Sequence, residues 1–289
     1  MTESVASNGS GHGYVIDAEN AAEMARLMHQ DHLLTQELGG LVPEPIDLSA
    51  VFQVLDIACG PGGWLLDLTT QYPHLRGVGI DISQLMIDYA NSLAASQGLP
   101  NVQFQVMDAA KSLEFPDNSF DLVNARILTG FLSTQQWPTL VQECYRILRP
   151  GGIIRLTEVE WGLTNSVAYD TLTGFAALGN YRAGHSFSPH GRVFGTTPML
   201  KHFLRQAGFQ QVQHRAYAVD YSAGATAYED NVHNYLIFYK LFQDFLVQMG
   251  VATTEEVEQI YEQMEKEMRE DDFCALDLYV TAWGYKETT

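Results

Sequence analysis

Basic residues are scarce in this sequence, in which 16 lysines and arginines stand against 35 aspartates and glutamates and the net charge is −19. An acidic surface repels phosphate backbones, so nucleic acid is not an expected partner. Long hydrophobic runs are missing too, and none approaches the roughly 18 apolar residues of a membrane helix. The opening residues, MTESVASNGSGHG, have neither a basic region nor an apolar stretch. We therefore expect no signal peptide, no membrane insertion and a cytoplasmic location.

Cysteine is also rare. Cys59, Cys144 and Cys274 lie far apart and show no CxxC spacing. This pattern argues against a disulfide framework and a structural zinc site, and it suits a reducing compartment. The nine histidines form no HExxH motif, so no metal site is predicted. The hydrophobic share of 46% and the charged share of 18% are typical of a soluble globular protein.

One short stretch, DIACGPGGW, covers residues 56–64, follows an apolar run and has three glycines and a proline in four consecutive positions. A chain that leaves a buried strand this abruptly brings its backbone close to a ligand. A nucleotide-triphosphate loop needs a lysine after the glycines, and none follows Gly62 or Gly63. A dinucleotide loop needs a third glycine, and that position is Leu65. The interpretation of the protein as an NAD-linked oxidoreductase is therefore weakened, but it stays open as an alternative.

Strand and helix patterns alternate from residue 51 onward, which predicts an α/β, Rossmann-like, doubly wound and mostly parallel seven-stranded sheet. The predicted strands cover residues 51–57, 77–82, 102–107, 120–125, 153–158, 210–221 and 274–285. The predicted helices cover residues 17–38, 64–71, 83–97, 134–148, 198–207, 228–249 and 254–270. Thr253 and Glu256 stand at capping-box spacing at the start of the last helix.

Four segments follow from this pattern. We predict a flexible tail over residues 1–15, an N-terminal helical lid over 16–50, a cofactor-binding core over 51–160, and a remainder over 161–289. The remainder completes the sheet and adds helical insertions after strand five and before the last strand. Residues 162–193, rich in aromatics, glycine and histidine, indicate an insertion rather than a repeating unit.

Acidic residues end three of the predicted strands. Asp56 and Asp81 lie at the ends of the first and second strands, and Asp108 stands at the end of the third, directly after residue 107. Asp81 is positioned to accept hydrogen bonds from both hydroxyls of a ribose, as the corresponding acid of a dinucleotide fold does. Asp108, followed by Ala109, can accept from the exocyclic amine of adenine. This combination favours S-adenosylmethionine (SAM) as the ligand.

Several motifs occur together in order: VLDIACGPGG, GVGIDIS, QVMDAA, FPDNSFDLVNAR and ECYRILRPGGIIRL. This series, over about residues 50–160, resembles the class I SAM-dependent methyltransferases. The closing TAWGYK is similar to the last strand of their small-molecule branch, typified by ubiquinone and menaquinone methyltransferases. The resemblance implies SAM as cofactor and methyl transfer to an O, N or C nucleophile of a small metabolite. A family member that binds SAM without methylating, or without catalysing any reaction, stays open.

The resemblance also implies which residues contact the cofactor. Gly60 and Gly62 would let the loop backbone approach the methionine part, and Asp56 would orient that loop or reach the amino group through water. The other positions implied are Tyr14 just before the lid, Asp81 on the ribose, Ile82 on the adenine face, Asp108 and Ala109 on the adenine edge, and Asn124, through its backbone carbonyl, on the methionine amine.

Methyl transfer from a sulfonium needs mainly proximity and orientation, and a general base only where the acceptor must lose a proton. Candidates for a base or a positioning residue are His29, His185 and Glu158. Candidates for substrate binding are His32, Arg126, Trp161, Tyr181 and Tyr235. Each has a plainer alternative, since the histidines can be solvated or packed and Tyr235 falls in a helical aromatic stripe typical of core.

The region after residue 160 is rich in tyrosine, phenylalanine, tryptophan and methionine. Such residues favour an enclosed apolar pocket with a few polar groups, which suits a largely apolar or aromatic metabolite. The sequence predicts neither the acceptor, nor the atom methylated, nor an oligomeric state.

Overall fold

A computed structural model describes residues 15–288, and within them seven strands form one sheet. The strands are β1 Gln53–Ile57, β2 Arg76–Asp81, β3 Val102–Val106, β4 Phe120–Arg126, β5 Leu148–Thr164, β6 Gln210–Asp220 and β7 Ala275–Tyr285. Their order is β3-β2-β1-β4-β5-β7-β6. The first five are parallel, and β7 lies antiparallel between β5 and β6. The predicted doubly wound, mostly parallel seven-stranded sheet is confirmed.

The helices are α1 Ala21–Glu37, α2 Gly63–Gln71, α3 Gln84–Ser96, α4 Gln136–Ile147, α5 Val167–Arg182, α6 Leu200–Gln206, α7 Tyr228–Gln248 and α8 Thr254–Glu267. Helices α2, α3, α4 and α6 pack on the sheet. Helices α1, α5, α7 and α8 pack on one another, and we call these four the cap helices. Within residues 15–288, no helix has both the length and the apolar character needed to cross a membrane.

Local sequence explains where several elements begin. In β1, Val54, Leu55 and Ile57 are all buried, as expected for a central parallel strand with no polar alternation. The side chain of Ser83 caps α3 by accepting from the Met86 N–H at 3.1 Å. The capping box at Thr253 is present, with both reciprocal bonds formed, so this prediction is confirmed.

The structure differs from the sequence prediction between strand five and residue 193. Residues 167–182 form α5, which the predicted insertion did not locate. This helix packs against β5, α7 and α8, so apolar residues lie on several sides and no single stripe identifies it. Strand β5 also runs over residues 148–164 instead of 153–158, because Leu148 pairs with Phe120 of β4 at one end and pairing with β7 continues to Thr164 at the other.

Candidate active site

A cavity of about 380 Å³ lies at the carboxyl ends of the parallel strands. Its floor and sides come from the loops after β1, β2, β3 and β4, where ligands of open α/β sheets bind. The cap helices α1, α5 and α7 complete the walls through Leu27, Asn180 and Phe238. The cavity therefore joins the predicted cofactor-binding core to the region after residue 160.

The two glycines of the loop after β1 have different roles. Gly60 lines the cavity at φ +52°, and its N–H donates to Asp81 Oδ2 at 2.9 Å. Gly62 has φ +84° and does not line the cavity. A Cβ at Gly62 would lie 2.7 Å from the Phe104 ring. Gly60 thus shapes the cavity, whereas Gly62 allows the loop to pack closely on the sheet.

Asp81 ends β2 with its carboxylate beside the glycine loop. Oδ1 accepts from the Ser83 N–H at 3.0 Å, while Oδ2 receives the bond from Gly60. Burial raises the pKa of Asp81, although these backbone N–H groups act in the opposite direction. Each oxygen keeps a further acceptor site for a ligand. Ile82 lines the cavity next to it.

Asp108 and Ala109 line the cavity just beyond β3. Asp108 Oδ1 accepts from the Ala110 N–H at 2.9 Å, and Oδ2 lies 3.1 Å from Lys111 Nζ. The turn therefore holds this carboxylate in one orientation. Asp81 and Asp108, at the ends of neighbouring strands, therefore line the same cavity.

Asp56 lines the cavity and is part of a buried polar network. Asn124 donates to Asp56 at 2.7 Å and accepts from Arg155 at 2.9 Å, and Arg155 pairs with Glu44 at 2.8 Å. Burial raises the pKa of Asp56 to about 7 against the effect of Arg126 and Asn124. Asn124 lies outside the cavity lining, and its side-chain amide is bound between Asp56 and Arg155. Its backbone carbonyl, the predicted contact, belongs to β4 between β1 and β5.

Arg126 at the end of β4 forms an ion pair with Asp31 of α1, and both residues line the cavity. The two histidines of α1 that were predicted to contribute, His29 and His32, do not line the cavity. His32 is exposed and hydrogen-bonds Gln36 at 2.9 Å, one turn along the same helix. His29 lies 3.5 Å from Asp230 at the contact between α1 and α7. Because neighbouring helical positions point in different directions, one face of α1 reaches the cavity and these histidines lie on others.

Glu158 is buried in β5 and holds the loop after β4. Its carboxylate accepts from the Leu128 N–H at 2.6 Å and from the Thr129 hydroxyl at 2.7 Å. Burial raises its pKa to about 7. Thr129 lines the cavity and Glu158 does not, so the predicted direct role of Glu158 in catalysis is not supported.

Trp161 forms part of an aromatic wall at the far end of the cavity. Its ring packs edge-on against Phe194 at 4.8 Å and Phe238 at 4.9 Å between ring centres. Tyr235 packs behind Trp161 and hydrogen-bonds the buried carboxyl of Asp277, so it does not reach the cavity.

Tyr181 is 43% exposed and lies against Gly191, also outside the lining. His185, three residues beyond α5, does line the cavity and is buried. Burial lowers its pKa, which keeps the imidazole neutral at pH 7. Of His29, His185 and Glu158, only His185 therefore reaches the cavity.

Sequence reasoning missed Gln30, Asp31, Thr129 and Asn180 among the lining residues. Gln30, Asp31 and Asn180 are polar residues of helices with a buried face, and Thr129 lies in the turn after β4, so none had a more specific sequence signal. Tyr14 lies outside the described residues. Across residues 15–288, no cluster of three or more histidine, cysteine, aspartate or glutamate side chains is arranged to hold a metal ion.

Comparison with known proteins agrees with this architecture. A family model described as a methyltransferase domain matches residues 54–152. Demethylmenaquinone methyltransferase of Lactococcus lactis is 33% identical over 100 residues, which is 34% of this chain and only 38% of that protein's length. The Thermus thermophilus demethylmenaquinone methyltransferase is 31% identical over 166 residues, covering 54% of this chain and 74% of that protein.

A solved structure shares the fold. Phosphoethanolamine N-methyltransferase 2 of Haemonchus contortus, in complex with phosphomonomethylethanolamine and S-adenosylhomocysteine, superposes with a TM-score of 0.56 at 17% identity. The match covers 94% of this chain and 59% of that one. The family model spans the strands and loops that build the floor of the cavity. The predicted resemblance is confirmed, and the chain belongs to the methyltransferase family.

Proposed function

We propose that the protein transfers a methyl group from SAM to an oxygen, nitrogen or carbon atom of a small, largely apolar or aromatic molecule. The observation that carries this proposal is one cavity with two different ends. At one end Asp81 and Asp108 follow adjacent parallel strands, and at the other Trp161, Phe194 and Phe238 form an aromatic wall.

The residues present fit this cofactor. Ligand sites of this kind span about 300–1,000 Å³, and the cavity lies within that range. Four aspartates line it, Asp31, Asp56, Asp81 and Asp108, which suits a ligand bearing a sulfonium and an ammonium group. At Gly60 the backbone borders the cavity without a side chain, so it offers a close approach to a ligand.

Each end of the cofactor has partners in this arrangement. Asp81 accepts from the ribose hydroxyls, Ile82 packs on the adenine face, and Asp108 accepts from the adenine amine. Asp56 and Asp31 attract the ammonium end, and Asn124 holds Asp56 in place.

Bound SAM supplies an activated methyl group that transfers by in-line displacement. The chain orients the two reactants and excludes water from between them. Two contacts hold α1 and the turn before it over the cavity, consistent with a lid over residues 16–50. Asp31 pairs with Arg126, and Glu19 accepts the N–H groups of Gln84 and Leu85 at the start of α3.

His185 is the residue we assign to proton removal where the acceptor must lose a proton. It is neutral and buried, and it lines the cavity. The segments within 161–289 supply the rest of the acceptor site. Three free and widely separated cysteines support a cytoplasmic location for this reaction.

Calorimetry of SAM and S-adenosylhomocysteine (SAH) binding tests the proposal. We expect Asp81→Ala to weaken both ligands at least tenfold, because hydrogen bonds to a charged group are worth about 1.5–3 kcal/mol. Asp88→Ala, on the exposed face of α3, is the matched control and should bind normally. Unchanged affinity in Asp81→Ala, or a melting temperature raised by NAD and not by SAH, would contradict the assignment.

A further inference from the structure

Three residues that line the cavity have a buried polar atom without a hydrogen-bond partner among the described residues. These atoms are Asn180 Oδ1, His185 Nδ1 and Trp161 Nε1. All three residues line the cavity, and Asn180 and His185 are only 4% and 8% exposed. Asn180 and His185 are neighbours, since the backbone N–H of His185 donates to the backbone carbonyl of Asn180 at 2.8 Å. Buried polar groups are normally paired, so unpaired ones in residues that line one cavity indicate that a ligand supplies the missing partners.

The chemistry of each atom limits what that ligand presents. Asn180 donates through Nδ2 to the Ala176 carbonyl at 2.9 Å, which fixes the amide orientation and leaves Oδ1 as an acceptor. Trp161 Nε1 is a donor only. His185 Nδ1 serves as donor or acceptor according to its tautomer. The ligand therefore carries at least one hydrogen-bond donor and one acceptor.

The charges around the cavity argue against an anionic ligand. Among the described residues that line it, the cations are Arg26 and Arg126, since His185 is neutral. Arg126 pairs with Asp31, and Arg26 pairs with Glu23 at 2.6 Å. With both guanidinium groups bound to carboxylates and further aspartates in the lining, a phosphate or diphosphate would meet net negative charge.

We propose that Asn180, His185 and Trp161 form the recognition site for the methyl acceptor, and that this acceptor is an uncharged aromatic or conjugated molecule bearing a hydroxyl group and a carbonyl oxygen. This inference rests on the proposed methyltransferase function. The hydroxyl donates to Asn180 Oδ1, the carbonyl accepts from Trp161 Nε1, and His185 binds either oxygen. Phe194 and Phe238 pack on the ring system, which excludes water from these bonds.

Binding to the SAH-saturated protein tests the ligand class. The probes are a hydroxyacetonaphthone whose hydroxyl and acetyl groups lie on different rings and so cannot hydrogen-bond each other, its methyl ether, and naphthyl phosphate. Binding of each probe is measured by calorimetry. We expect the hydroxy ketone to bind at least about tenfold more tightly than the ether, which lacks the donor, and than the phosphate. Equal or tighter binding of the phosphate, or no saturable binding of the hydroxy ketone, would overturn the inference.

Variants test the residues. We expect about tenfold weaker binding of the hydroxy ketone, and unchanged affinity for SAH, in each of three variants: Asn180→Leu, His185→Phe and Trp161→Phe. His190→Phe, on an exposed position of the same loop, is the control and should behave as wild type. His185→Phe also removes an unpaired buried polar atom, so its melting temperature should equal or exceed that of wild type, whereas loss of a purely structural histidine would lower it.

The outcomes separate this inference from the function on which it rests. If wild type binds neither SAM nor SAH, the proposed function fails. If SAH binds and the variants keep wild-type affinity for the hydroxy ketone, the acceptor site is wrong and the proposed function stands.

Discussion

Replacing Gly62 by alanine should destabilise the fold, although Gly62 lies in the loop that the sequence associates with the cofactor. Two costs arise at this position. The backbone has φ +84°, a left-handed conformation that costs a residue with a Cβ about 1–2 kcal/mol. The new Cβ would also lie 2.7 Å from the ring of Phe104 and 3.0 Å from the Cβ of Ala90, and such overpacking costs about 1–3 kcal/mol.

The matched control is Gly98→Ala. Gly98 also has a positive φ, +67°, but a Cβ there would meet no atom within 4 Å. It should therefore show the backbone cost of about 1–2 kcal/mol and nothing more. Gly62→Ala should lose about 2–5 kcal/mol, and the difference between the two variants isolates the contacts with Phe104 and Ala90.

Urea unfolding with linear extrapolation measures both variants. We expect the midpoint of Gly62→Ala to fall well below that of Gly98→Ala with a similar slope. Equal losses would refute the packing role of Gly62. Gly60→Ala extends the test, since its Cβ would come no closer than 3.9 Å to Leu27, and it should weaken SAH binding more than stability.

Two further predictions concern buried charges. Glu44→Gln should lower the free energy of unfolding, measured with urea, by about 3–5 kcal/mol, because it leaves the buried Arg155 without its carboxylate. Glu258→Gln, in an exposed ion pair, should lower it by less than about 1 kcal/mol. Similar losses in the two variants would contradict this contrast. Asp277 has its pKa raised to about 7 by burial, so between about pH 4 and 7 the folded protein keeps a proton that the unfolded chain has lost. The contribution of this protonated carboxyl to stability is lost as pH rises through this window. Asp277→Asn should therefore remove a slope of up to about 1.4 kcal/mol per pH unit from the free energy of unfolding between these pH values. An unchanged slope would show that this carboxyl does not titrate there.

The parallel half of the fold was predictable because its signals are local. Central strands buried on both faces alternate with helices, and a glycine loop follows the first strand. The positions of Asp56, Asp81 and Asp108 at strand ends were enough to bring them together, since the carboxyl ends of parallel strands meet at one edge. The position of Thr253 relative to Glu256 likewise identified a helix start.

The cap helices were less predictable. Helix α5 packs on three neighbours and lacks a single apolar stripe, so the sequence around Asn180 indicated only an insertion. In α1, Asp31 and His32 are adjacent and equally polar, yet Asp31 reaches the cavity and His32 is exposed. Nothing local distinguishes them, because packing against α7 decides which face of α1 turns inward.

The sequence by itself therefore determined the sheet, the glycine loop and the carboxylates beneath the cofactor end of the cavity, all of which depend on spacing along the chain. Only the tertiary structure decided that Asn124 supports Asp56, and that His185 reaches the cavity whereas Glu158 does not. It also decided that Trp161 and Asn180 line one cavity. These outcomes depend on how distant segments pack, and the direction of a buried polar side chain is set by partners that lie far away in sequence.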